Sequence, residues 1–175
     1  MPTQYNRFAV VLHWLSAVLV MLLLFAGSQM LAPIDNSDPL KLGALQGHGA
    51  LGILVGVLTL IRLINIKMRG QPANISPAGS LMARASSLAH KLLYVLILAV
   101  AGSGVAMAVA VDLPAVIAGQ AMLPESFQHL GARTAHGILT KLLALTILGH
   151  IAAALYHHFI LKDGLLRRMR FKRLD

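Results

Sequence analysis

The chain has 175 residues, of which 57% are hydrophobic and only 12% charged, with a mean hydropathy of +0.74. A water-facing domain carries about a quarter charged residues, so a soluble globule is excluded and an integral membrane protein is implied. The formal charge of +9 does not point to nucleic acid, because the apolar residues fall in long uncharged blocks rather than around a basic face. The absence of cysteine excludes disulfides, thiolate metal sites, iron–sulfur clusters and covalently attached c-type haem.

A bilayer core takes about 20 apolar residues per helix, and four stretches qualify. Nothing is charged between Arg7 and Asp35, which places the first span over 8–31. Its apolar run is too long for a signal peptide, and no small-residue cleavage site follows it. The second span is expected over 45–66. The segment 68–84 holds Gly70, Pro72, Pro77 and Gly79 and reads as an extended connector. The third span is expected over 86–111. In the loop 111–133, with Pro114 and Pro124, the semi-apolar stretch 115–122 is too short to span and is expected on the outer surface or as a small lid. The fourth span is expected over 133–161, where Ala152, Ala153 and Ala154 would let it approach its neighbours closely. There is no internal repeat, low-complexity tract or second domain. Residues 1–175 are read as a single all-α domain, an integral membrane four-helix bundle.

Its orientation follows from the basic residues. With the N-terminus inside, twelve of the fifteen Lys and Arg face the cytoplasm: Arg7, then Arg62, Lys67, Arg69, Arg84 and Lys91, then Lys162, Arg167, Arg168, Arg170, Lys172 and Arg173. Lys41, Arg133 and Lys141 lie outside, with Asp35, Asp38, Asp112 and Glu125. Both termini are therefore expected to be cytoplasmic. The basic tail is a topology determinant and a partner for anionic lipid headgroups, at about 1 kcal/mol per cation near the surface, and not a nucleic-acid-binding element.

Eight histidines in so apolar a chain are the functional signal, since ionisable residues inside membrane segments are rare and usually functional. His13 lies a turn or two into span one from the inner side, His48 opens span two from the outer side, and His90 opens span three from the inner side. Span four carries His136 near its outer end, His150 deeper, and His157 and His158 near its inner end. His129 belongs to the outer loop and, like the interfacial His158, receives no role as a ligand. Positions 136, 143, 150 and 157 step by sevens, which nearly restores one helix face. His136 and His150 are separated by about 21 Å of rise, too far for one metal ion, and zinc ligands gather about one point. Two haems stacked across the bilayer can use both. Each iron then needs a second axial histidine from another helix: His48 matches His136, while His13 and His90 compete to match His150. Taking His157 instead of His150 would separate the irons by about 31 Å and push both to the interfaces. Neutral imidazoles on facing helices, without cysteine, are the chemistry of bis-histidine b-type haem. No Asp or Glu lies within a span, which argues against a proton relay or a transporter.

One pattern runs through nearly the whole chain. It comprises Tyr5-Asn6-Arg7 followed by His13-Trp14, His48-Gly49-Ala50-Leu51-Gly52 leading to Arg62, and His90 with Tyr94. It continues through the H-x13-H-x6-HH spacing of His136, His150 and His157-His158, and through Lys162-Asp163 with Leu165-Leu166-Arg167-Arg168-Met169. This pattern resembles the bacterial cytochrome b561 family, related to the haem-b subunits of nickel–iron hydrogenases and formate dehydrogenases. The resemblance implies a di-haem b protein of the bacterial inner membrane, with the first and last helices supplying His13 and His150 to the inner haem. The second and last helices would supply His48 and His136 to the outer one. It further resembles the stand-alone members described as superoxide oxidases, which implies electron transfer from periplasmic superoxide to ubiquinone. Lys41, His129 and Arg133 would then attract the anion near the outer haem, and His90, His157 and Arg7 would neighbour the quinone. Trp14 would pack or anchor at the interface. The rival reading is a haem-b membrane anchor passing electrons between a partner dehydrogenase or hydrogenase and the quinone pool. The short tail after span four is expected of the stand-alone form. Ala101 stands before Gly102 and Gly104 where the family often has a proline, so the kink expected there is missing.

Overall fold

Each of the first three long helices starts where a short polar side chain accepts a free backbone N–H. In α1 (Arg7–Phe25) the Asn6 carboxamide accepts from Ala9 N at 2.8 Å. In α2 (Pro39–Arg69) Asp38 accepts from Leu40 N at 2.8 Å, and Pro39 fills the first turn, where an N–H has no intrahelical acceptor. In α3 (Leu81–Ala110) Ser80 accepts from Ala83 N at 3.2 Å. A short α4 (Leu113–Ile117) precedes α5 (Gly131–Tyr156). The structure, a computed structural model, describes residues 4–77 and 79–171, and among these there is no strand. Lys172 and Arg173 of the basic tail lie outside the described residues.

Four segments are long and apolar enough to cross a membrane: Arg7–Leu31, Pro39–Arg69, Leu81–Ala110 and Gly131–Leu161. The second and third helices begin five or six residues before the expected spans. The reason is physical: freedom from charge marks the hydrocarbon, whereas a helix runs on through the headgroups to the next cap. Lys41 shows how a cation fits inside such an extension. It is buried, and its ammonium donates to Leu31 O at 3.0 Å and Ile34 O at 2.7 Å, taking up carbonyls where the first span ends. The 115–122 stretch becomes the short α4 and a following loop. Helix α3 is continuous through Ala101–Gly104.

The helices pack in sequence, α1 on α2, α2 on α3 and α3 on α5. Helices α2 and α3 come close where residues are small: a Cβ on Gly56 of α2 would stand 3.4 Å from Ala101 Cβ of α3. The expected contribution of Ala152 and Ala153 is not seen, because both are exposed. Val20, Val55, Leu96 and Leu143, one from each long helix, form the buried apolar cluster. Elsewhere the long helices present large apolar side chains outward, such as Phe25, Val18, Leu145 and Leu148. In water this would be an aggregation surface; against lipid it is solvated.

Hydrogen bonds define two ends. At one, Trp14 Nε1 donates to Met169 O at 3.0 Å and Arg168 donates to Ala73 O, so the start of α1, the α2–α3 loop and the tail share a face. This is called the terminal face. At the other, the far face, Asn36 Nδ2 donates to Pro124 O at 2.8 Å across the two remaining loops.

Candidate functional site

The apolar cluster is also the key to the histidines. Val20 follows His13 by seven residues, Val55 follows His48 by seven, and Leu143 lies seven from both His136 and His150. Seven residues are about 10 Å of rise and return to nearly the same helix face. The imidazoles therefore share the inward faces of the cluster residues and form one layer above it and one below.

In the far layer the rings of His48 and His136 stand 6.4 Å apart, centre to centre, at 71°. The His136 ring is held from behind. Its Nδ1–H donates to Ser103 Oγ at 2.9 Å and to Val100 O at 3.1 Å, while the Ser103 hydroxyl donates to Val100 O. A carbonyl only accepts, so the proton is assigned to Nδ1 and the Nε2 lone pair is left free. Glycines make room for both rings. A Cβ on Gly27 would meet His48 Cε1 at 3.0 Å, and one on Gly104 would meet His136 Cε1 at 3.7 Å. Gly27 lies in the π-helical extension of α1, Ala26–Leu31.

In the terminal layer the rings of His13 and His150 are also 6.4 Å apart, at 73°. His90 comes closer, 5.2 Å from the His150 ring, and its Nδ1–H donates to Ser86 O at 2.7 Å. The Nδ1 atoms of His13 and His48 are buried without a hydrogen-bond partner among the described residues.

These spacings decide what each pair can do. A metal–imidazole bond is about 2 Å and the nitrogen lies about 1 Å from its ring centre, so two rings sharing one metal from opposite sides stand about 6 Å apart. The pairs His48–His136 and His13–His150 have that separation, whereas His90–His150 is shorter and resembles a direct ring contact. Among the described residues no three His, Asp or Glu gather about one point as a free metal ion would require.

The other expected site residues are spread over both faces. Arg133, half-buried, lies one turn before His136 on α5, with a guanidinium nitrogen 3.2 Å from where a Cβ on Gly137 would stand. His129 is exposed and lines a shallow depression of the far face with Asp112 and Leu130. Lys41 is buried on its two carbonyls and is not an open cation. On the terminal face Arg7 is exposed at the start of α1. His157 is buried and its Nδ1–H donates to Asp163, whose other oxygen accepts from Leu165 N at 3.0 Å. Burial opposes ionisation of Asp163, but the His157 ring and the Leu165 N–H outweigh it and hold the carboxyl below the usual carboxylate range. This bond closes the turn through Lys162 and Gly164, both in left-handed conformation, that folds the tail back toward Trp14.

In the sequence Gly104 marks only the point where a kink is expected, and Gly27 and Ser103 carry no signal. The heptad step that located the histidine face on α5 would have found Val20, Val55 and Leu143 if extended from every histidine, but not Leu96, six residues from His90. Nothing in one sequence pairs Ser103 with His136, thirty-three residues away.

The family model of prokaryotic cytochrome b561 matches residues 4–172. The chain belongs to that family. Among curated relatives, this b561 chain is 30% identical over 174 residues to cytochrome b561 homolog 2 of Escherichia coli K12, covering 96% of this chain and 92% of the relative. It is 27% identical to cytochrome b561 homolog 1 of the same organism, covering 97% and 98%. It is 31% identical over 169 residues to cytochrome b562 of Cereibacter sphaeroides, covering 94% of each. As a b561 protein it is a multi-pass membrane protein that binds haem b and transfers electrons. The donor set fits that group: neutral imidazoles in pairs of the right separation, with Nδ1 of His136 anchored and its Nε2 left to coordinate, and no thiolate.

Proposed function

We propose that this b561 protein is a two-haem electron carrier across the bacterial inner membrane that oxidises superoxide at its far face and reduces ubiquinone. The observation that carries this reading is the pair of equal 6.4 Å imidazole separations at two depths, joined by the single helix α5. His48 and His136 would hold one haem, and His13 and His150 the other. Bis-imidazole haem supplies one-electron chemistry with no open coordination position for oxygen.

The chain's own groups then divide the work. Arg133 and exposed His129 give the far face a positive approach for a small anion, and Lys41 adds charge without offering contact. On the terminal face His157, bonded to Asp163, can hold a proton for a reduced quinone, with His90 against the His150 ring and Arg7 at the headgroups. The balance is two superoxide anions to two dioxygen molecules, with two electrons and two protons taken up by one quinone. The terminal face is assigned to the cytoplasm because most Lys and Arg cluster there, and its basic tail to contact with anionic lipid.

Rapid mixing of the purified holoprotein with superoxide and a ubiquinone analogue tests this. Superoxide should disappear faster than it dismutates, giving dioxygen without hydrogen peroxide and one quinol per two superoxide. Hydrogen peroxide as co-product, or quinone reduction only when a partner dehydrogenase is added, would overturn the superoxide assignment.

A further inference from the structure

Arg62 stands out once the two layers are in place. It lies in α2 seven residues before its terminal-face end, about 10 Å inside the helix end by rise. That is the half of the membrane holding His13, His90 and His150. Of the other cations in the long helices, Arg7, Lys67, Arg69, Arg84, Lys91 and Lys141 are exposed, and their flexible stems can carry the charge to the headgroups, while half-buried Arg133 stands in the first turn of α5 at the far face. Lys41 is satisfied by two carbonyls. Arg62 is half-buried and turned inward, its guanidinium 5.4 Å over the Tyr94 ring, one helical turn from His90 on α3. It is within electrostatic reach of His13, His150 and Tyr5.

Among the described residues this guanidinium makes no hydrogen bond and no ion pair. An arginine inside the bilayer is costly even by the mildest scales, and stacking on one tyrosine returns only part of that cost. A carboxylate is the natural partner for its fork of donors. The chain has few to give. Asp35, Asp38, Asp112 and Glu125 lie at the far face, Asp163 is engaged by His157 and Leu165 N, and Asp175 lies outside the described residues.

We propose that Arg62 is the counter-ion of a propionate of the haem held by His13 and His150, with Tyr94 holding the guanidinium plane in place. This rests on the two-haem reading above. It gives Arg62 a second consequence: a fixed positive charge beside one haem stabilises its reduced form, so the terminal-side haem is held at a higher potential than it would have without it.

The test is a redox titration of the purified full-length holoprotein and its Arg62→Gln and Arg62→Lys variants. Arg62→Gln should lower one of two midpoint potentials by a ten-fold change in the oxidised-to-reduced ratio, which is 59 mV for a one-electron couple, and leave the other in place. Arg62→Lys should retain most of the wild-type value. Replacing the haem by its dimethyl ester removes the propionate charges and should raise the potential; because the ester no longer holds the guanidinium, Arg62→Gln should then shift the potential far less than it does with native haem. Unmoved potentials in Arg62→Gln, or ester and substitution effects that add in full, would overturn the pairing. Unmoved potentials with slowed quinone reduction would place Arg62 at the quinone instead and would overturn it equally. If Arg62→Gln does not assemble, Arg62→Lys takes its place in the same comparison, and its smaller shift should likewise shrink with the ester; a shift of equal size with both haems would overturn the pairing. A wild-type preparation holding fewer than two haems fails the underlying reading before any variant is made, so the two failures are distinct.

Discussion

The two histidine layers have the same ring separation and different surroundings, and the difference shows two ways of holding a ligand in a membrane. In the far layer the rings are held by close backbone: Gly27 against His48, and Gly104, Ser103 and Val100 O around His136. In the terminal layer a third imidazole, His90, presses on His150, and a cation and a tyrosine stand nearby. The far layer is positioned by sterics and one hydrogen-bond relay. The terminal layer is crowded with groups that carry protons or charge, as a site exchanging both electrons and protons would need.

The largest effect should come from breaking either layer. His48→Ala or His136→Ala should each remove about half of the haem and leave the terminal-side spectrum intact, and His13→Ala or His150→Ala should do the converse. Haem counted per protein in pyridine checks this; loss of both or neither in every variant would contradict the pairing. His90→Ala should keep all the haem, because its 5.2 Å contact is not an axial separation.

A sterically finer break is Gly27→Ala. The added Cβ would stand 3.0 Å from His48 Cε1, closer than carbon atoms normally sit. The ring must shift by a few tenths of an ångström, at roughly 1 to 2 kcal/mol. The expected outcome is a lower thermal midpoint and a displaced far-layer absorbance band, with the terminal-layer band unmoved.

Ser103→Ala should be milder. His136 keeps its bond to Val100 O and loses the hydroxyl, about 1 kcal/mol. A small change in the far-layer midpoint potential, with full haem content, is expected; an altered terminal layer would mean the two are coupled through the apolar cluster.

The smallest effect concerns the tail. Because the folded Asp163 carboxyl is held below its ordinary value of 3.8, its contribution is fully present above that pH and is lost as the pH falls through the lowered value. Asp163→Asn should loosen the turn already at neutral pH. Faster tryptic cleavage at Arg167 and Arg168, with unchanged haem content, is the readout.

Much of this was legible in the residues. The four spans, the facing histidines of α5 and the match of His48 to His136 follow from charge-free length and a seven-residue step. The helix starts did not, since Asp38 and Ser80 cap helices well outside the apolar blocks. Lys41 reads in sequence as an exposed loop cation, yet it is folded onto the carbonyls where the first span ends, because a lysine in the first turn of α2 reaches Leu31 O and Ile34 O more readily than water. The competition between His13 and His90 could not be decided from depth, as both lie at the level of His150.

By itself, then, the sequence determines a membrane bundle with histidines at two depths, because the bilayer imposes length and the helix imposes period. The tertiary structure decides which imidazoles face each other across a metal-sized separation, which cations are satisfied and which, like Arg62, still need an anion. Those are matters of distance between helices, and no periodicity along one helix contains them.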